Sequence, residues 1–219
     1  MTILVRMSEN LFIIASAAIR FILDRKHVDH AQQIDTLLRD ISLDDFSGSR
    51  HTTIMDHVYM RIIRAAQPDP TDSWTDRFQT FVGTIVLYNP LPCGELTLFL
   101  DVDVNDIIRA LTNLHSLFAP CKTQTYRAHH KSFYDFICHR GRCKMGLECH
   151  INPPLHHMRV AERCLRIMND NLKFNIYNLN PREQHIDVSK LHNRVWTSIP
   201  APLRVCSYLL GIPSSCRPW

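Results

Sequence analysis

The stretch Arg127-Ala128-His129-His130-Lys131-Ser132-Phe133-Tyr134-Asp135-Phe136 decides how the rest of the chain is read. It is a His-x-Ser-Phe-x-Asp-Phe run that opens a short helix carrying Phe133 and Phe136. Two short strands are predicted just before it, a stub at Ala119 and Thr123 to Ala128, separated by Pro120. Three helical patterns precede the strands. Trp74, Phe78, Phe81, Val82 and Ile85 define the first, from Asp72 to about Tyr88. Pro90-Leu91-Pro92 then forces a turn, because proline fixes its own φ and biases the residue before it away from the helix. A short helix from Cys93 to about Leu100 follows, and Asp103 caps the third, which runs to Phe118. Three helices and a small hairpin make a winged-helix arrangement.

Outward from this centre the chain reads as helix in both directions. Ser8 to Asp24 is apolar nearly all round and calls for burial on more than one side. Ala31 to Ile41 carries Ile34, Leu37, Leu38 and Ile41 on one stripe, and Thr52 to Ala66 carries Ile54, Val58 and Ile62 with Met55, Tyr59 and Ile63 beside them. After the His-x-Ser-Phe helix come Leu155 to Asn175, with Val160, Cys164, Leu165, Ile167, Met168 and Leu172 on its buried side, then Val188 to Ser198 and Ala201 to Leu210. The fold class is therefore mainly α, in three parts: a helical segment over 1–70, a winged-helix domain over 71–152 and a C-terminal helical layer over 153–219. Six glycines against twelve prolines fit helices broken by prolines better than strands joined by glycine turns. With 45% hydrophobic residues in 219, the chain has material for a real core.

The apolar run Leu11 to Ile19 is preceded by Glu9 and interrupted by Arg20, and it is shorter than the roughly 20 residues a membrane span requires. A buried amphipathic helix is expected there, neither signal peptide nor anchor. The eight cysteines are then read as reduced thiols of a cytoplasmic protein. A net charge of +4, with no long basic run beyond Arg140-Gly141-Arg142-Cys143-Lys144, provides no platform for tracking phosphates.

Several segments, in order, resemble the region that follows the nucleotide-binding core in fungal NACHT-type signalling NTPases, the NLR-like members of the STAND class. Asn10 to Ala15 with Arg20-Phe21-Ile22 is similar to the helix closing their NTPase portion. Met55-Asp56-His57-Val58-Tyr59 with Ile62-Ile63 resembles their Leu-Asp-x-x-Tyr-x-x-Ile-Leu pattern. Pro90-Leu91-Pro92, Leu114-His115-Ser116-Leu117, the His-x-Ser-Phe helix, Arg142-Cys143, His157, Ala161 and Cys164-Leu165-Arg166-Ile167-Met168 follow in the family's order. The resemblance implies that His130 is the winged-helix histidine that contacts the terminal phosphate of bound ADP. The residue's own surroundings equally fit a plain helix cap. It further implies ADP or ATP with magnesium as cofactor only when joined to a nucleotide-binding domain, which is the expected partner, with other protein contacts and no membrane.

One departure from the family pattern is clear. The phosphate-holding Gly-x-x-x-x-Gly-Lys-Ser/Thr loop is not in these residues; Gly141-Arg142-Cys143-Lys144-Met145-Gly146 matches the glycine spacing, but Leu147-Glu148 follows. No catalysis, and no tight nucleotide binding, is expected of the chain alone. As a free chain it reads as a fragment, a degenerate paralogue or a docking partner. Neither His-Glu-x-x-His nor Gly-x-Ser-x-Gly is present. Two further readings stand beside this one. Cys138, Cys143, Cys149 and His156 offer a zinc set whose spacing only partly matches a Cys3His finger. A winged helix also suggests DNA binding through Arg109 and Asn113, opposed by Asp103 and Asp106 at the start of the helix that would enter the groove.

Overall fold

The computed structural model describes residues 12–23, 31, 34–35, 51–66, 72–88, 91–120, 125–143, 149–176 and 198–211. In chain order they form α1 (Phe12–Ile22), α2 (His51–Ala66), α3 (Asp72–Leu87), α4 (Cys93–Leu100), α5 (Val104–Asn113), β1 (Phe118–Pro120), β2 (Tyr126–Ala128), α6 (Lys131–Ile137), α7 (Pro153–Asn171) and α8 (Ala201–Leu209). The protein is mainly helical, with one two-stranded antiparallel sheet among the described residues. Of the predicted Ala31–Ile41 and Val188–Ser198 helices, only Ala31, Ile34, Asp35 and Ser198 fall inside the described residues, and all four are helical. No described helix is long and apolar enough to cross a membrane.

The order α3, α4, α5, β1, β2 is the one read from the sequence. Asp103 caps α5 as expected, its carboxylate accepting the Asn105 backbone N–H at 2.6 Å. The strands pair in the register Phe118 to Ala128, Ala119 to Arg127 and Pro120 to Tyr126. Proline 120 thus belongs to the first strand and does not separate the two. An isolated bridge from Pro92 to Thr125 lays the α3–α4 connection against the approach to β2.

Further expectations need correction. The third helix ends at Asn113, and Phe118 lies in β1. Leu114, Leu117 and Phe118 continue the helical spacing, but the backbone tightens into turns, with Leu117 N–H bonded to the Leu114 carbonyl at 2.8 Å. Phe118 is then fully buried against Phe133, their rings meeting edge to face with centroids 5.5 Å apart. The long helix α7 begins at Pro153 and ends at Asn171, two residues before and four before the predicted limits. Asn152 caps it, and prolines in the first turn cost nothing there because their missing N–H groups would lack intrahelical partners anyway. On α7, Val160 and Cys164 are buried, whereas Leu165 and Leu172, assigned to the buried side, are 64% and 60% exposed. Of the α1 side chains described, Ala17, Ala18, Phe21 and Ile22 are buried and Ile19 and Arg20 are exposed.

One continuous cluster of buried residues runs from α1 through α8 and so passes through all three sequence segments. Helix α1 packs on α2; α3 packs on α7 and β2; α8 packs on α4 and α7. Phe99, Phe118, Phe133 and Phe136 are its largest fully buried side chains, which places the His-x-Ser-Phe helix over the middle of the core. Emptying such a site costs about 3–5 kcal/mol for Phe to Ala.

Candidate functional site around His130

His130 is the N-cap of α6, in extended backbone conformation. Its Nδ1 accepts the Ser132 backbone N–H at 3.1 Å. A ring nitrogen that accepts an amide proton carries none itself, so the hydrogen-bond network assigns the neutral ring's proton to Nε2. The Ser132 hydroxyl lies 2.8 Å from the same Nδ1 and 2.7 Å from the Tyr59 hydroxyl. The consistent arrangement is that Tyr59 donates to Ser132 and Ser132 donates to His130. The Nε2–H remains a donor without a protein acceptor among the described residues.

The exposed imidazole lines an open cleft of about 500 Å³, together with Ile85 and Val86 of α3, Tyr88 just after it, Arg127 and Ala128 of β2, and Lys131 and Tyr134 of α6. Arg127 and Lys131 are both exposed, and no carboxylate lines the cleft among the described residues. Such a surface attracts anions.

Beneath the cleft the sequence motifs meet. Tyr59 is 2% exposed and packs against Phe133 and Phe136, ring centroids 5.3 and 5.4 Å away. Burial pushes its hydroxyl up from the ordinary tyrosine value, which keeps it a donor. One turn earlier on α2, Asp56 takes a forked ion pair from Arg142: Nε lies 3.1 and 3.0 Å from the two carboxylate oxygens and Nη2 lies 2.6 Å from Oδ1. Burial raises the Asp56 carboxyl, and Arg142 pulls it back; the bond to Asp56 holds the guanidinium still more firmly protonated. Both Asp56 and Arg142 lie in stretches that carry the resemblance, but nothing in the sequence alone paired them. Nor was the bond from Tyr59 to Ser132 visible there.

The other site residues are dispersed. Cys138 ends α6 half-buried, Cys143 and Cys149 are buried, and burial pushes the Cys138 and Cys143 thiols up to about 11. That favours the thiol over the thiolate a metal needs. His156 sits elsewhere, its Nε2 3.3 Å from the Thr84 hydroxyl and its ring against Gly83. Among the described residues no three His, Cys, Asp or Glu side chains converge, so the zinc set of Cys138, Cys143, Cys149 and His156 is not brought together. On the presumed groove helix, Asp103 is spent as a cap, Asp106 stands 4.0 Å from Arg77, and Asn113 donates to the Ala66 carbonyl at 3.5 Å. Arg109 is exposed at the rim of a second cavity, of about 280 Å³, between α3 and α5.

No family model, curated protein or solved structure matches the chain.

Proposed function

We propose that this chain is a regulatory and interaction module of a NACHT-type signal-transduction NTPase, with no catalysis of its own. A nucleotide-binding domain, in the same protein or a partner, supplies ADP or ATP with magnesium. His130 then donates Nε2–H to the terminal phosphate, with Arg127 and Lys131 adding charge. The observation that carries the reading is the chain of bonds from His130 through Ser132 to Tyr59, because it joins an exposed donor to the buried face of α2. A signal needs that connection: a ligand shifts an equilibrium only through contacts that differ between two states. Loss of phosphate contact at His130 would be felt at Tyr59 and, one turn away, at the Asp56–Arg142 pair.

The test separates cap from sensor. Asparagine at position 130 would keep an N-capping oxygen near the position of Nδ1 but would not extend to the Nε2 position. A NACHT-type nucleotide-binding domain loaded with fluorescent ADP is mixed with the chain, and ADP release is timed. The wild-type chain is expected to slow release, and His130→Asn to abolish the slowing with its helical content intact. Equal release rates with and without the wild-type chain would refute the proposal.

A further inference from the structure

A separate cavity lies between α3, the end of α4 and α7, and it is independent of the reading above. Its volume is about 360 Å³, within the range of small-molecule sites. Phe81, Phe99, Leu100 and Val160 make an apolar floor, exposed by only 2%, 0%, 7% and 4%. Arg77, Arg159, Arg163 and Arg166 stand around it against two carboxylates, Asp76 and Glu162.

The arrangement follows from helix periodicity. Arg159, Arg163 and Arg166 are spaced four and three apart, so they share one face of α7 and point along one side of the cavity. Arg163 is anchored: its Nε donates to the Phe99 carbonyl at the end of α4, and its guanidinium lies over the Phe99 ring, 5.9 Å from the centroid. Arg166 pairs with Glu162 at 2.6 Å on the exposed rim. Arg159 has no carboxylate or carbonyl partner among the described residues, which leaves its planar fork of donors available beside an apolar hollow. The Thr80 and Thr84 hydroxyls on the opposite wall already donate to the Asp76 and Thr80 carbonyls of their own helix, so the head group is not theirs to bind.

An anion alone would make no use of the apolar wall, and an apolar molecule alone would leave Arg159 to water. We propose that this cavity binds a small amphipathic anion, a carboxylate on an apolar body of about the length of a medium acyl chain, with Arg159 as the main contact for the head group and Arg163 as its anchored neighbour. Guanidinium matches a carboxylate bidentately, which favours that head over a neutral polar one.

The experiment is calorimetric titration of the full chain with decanoate, decanol and acetate. Decanoate is expected to bind at least about tenfold more tightly than either of the others, since each carries only half of the complementary chemistry. Arg159→Ala, at an exposed position, should weaken decanoate about tenfold, the loss of one charge-assisted fork. Thr80→Trp should abolish binding by filling the cavity from a half-buried position on its wall. Decanoate binding of equal strength in the wild type, Arg159→Ala and Thr80→Trp would place it on another apolar face and overturn the proposal. So would decanol binding as tightly as decanoate, or no binding of decanoate at all.

Discussion

Two histidines border α3 in different surroundings. At its C-terminal end, Ile85 and Val86 line the open cleft where His130 is exposed, caps α6 and keeps a donor for the outside. A little further back, Thr84 meets His156, which is 6% exposed and packed so closely that a Cβ on Gly83 would come within 2.6 Å of its ring. Burial, helped by the nearby charges of His157 and Arg159, lowers the His156 pKa to about 4. The same side chain is thus a surface contact in one place and a neutral core group in the other. Solvent access makes the difference, since an imidazolium without water or an anionic partner is heavily penalised.

The comparison can be broken at four points, the strongest first. Below pH 6.5 the unfolded chain protonates His156 while the folded chain resists down to about 4, so the unfolded state binds more protons in that window. Stability should therefore fall as pH drops from 6.5 towards 4, by on the order of 3 kcal/mol, and level off below. Urea unfolding across this range checks it, and His156→Gln should flatten the difference. Asp56→Ala strands a guanidinium only 22% exposed and should cost about 2 kcal/mol, between the values for surface and buried pairs. Adding Arg142→Met should recover most of it, measured by the same unfolding curves.

Smaller effects probe the chain of bonds. Tyr59→Phe removes a buried hydroxyl and should cost about 1 kcal/mol by thermal or urea unfolding. His130→Ala loses the cap and should cost roughly 0.5–1 kcal/mol, whereas His130→Asn should stay within about 0.3 kcal/mol of the wild type. A Tyr59→Phe/His130→Ala double variant tests whether the two ends communicate through Ser132. Strict additivity would reduce His130 to an isolated cap, and a coupling of about 0.5 kcal/mol or more would link it to α2.

Much of the fold was legible because its signals are local. Helices α3 and α4 fell where Trp74, Phe78 and Phe81 and the Pro90-Leu91-Pro92 turn predicted them, and Asp103 capped α5 as expected. The failures came where local spacing is ambiguous. Leu114, Leu117 and Phe118 fit a buried helix as well as a turn running into a buried strand, and periodicity alone does not separate them. Asn152-Pro153-Pro154 starts α7 before the apolar spacing that begins at Leu155, because a cap and first-turn prolines set a helix start independently of periodicity. Leu165 and Leu172 are apolar yet exposed, because the buried stripe of α7 is narrow and centred on Val160 and Cys164.

At the site, the sequence identified His130 as the residue to watch and marked Asp56, Tyr59, Ser132 and Arg142 only as parts of motifs. By itself it determined where most of the described helices lie, the Asp103 cap, the Pro90-Leu91-Pro92 break and the presence of a hairpin, because hydrophobic periodicity, proline and capping act within a few residues. The tertiary structure alone decided that Tyr59 bonds Ser132 across 73 positions, that Arg142 grips Asp56 across 86, and that His156 is shut in while His130 is open. Those outcomes depend on which helices pack together, and burial and pairing follow from the packing, not from the residue types.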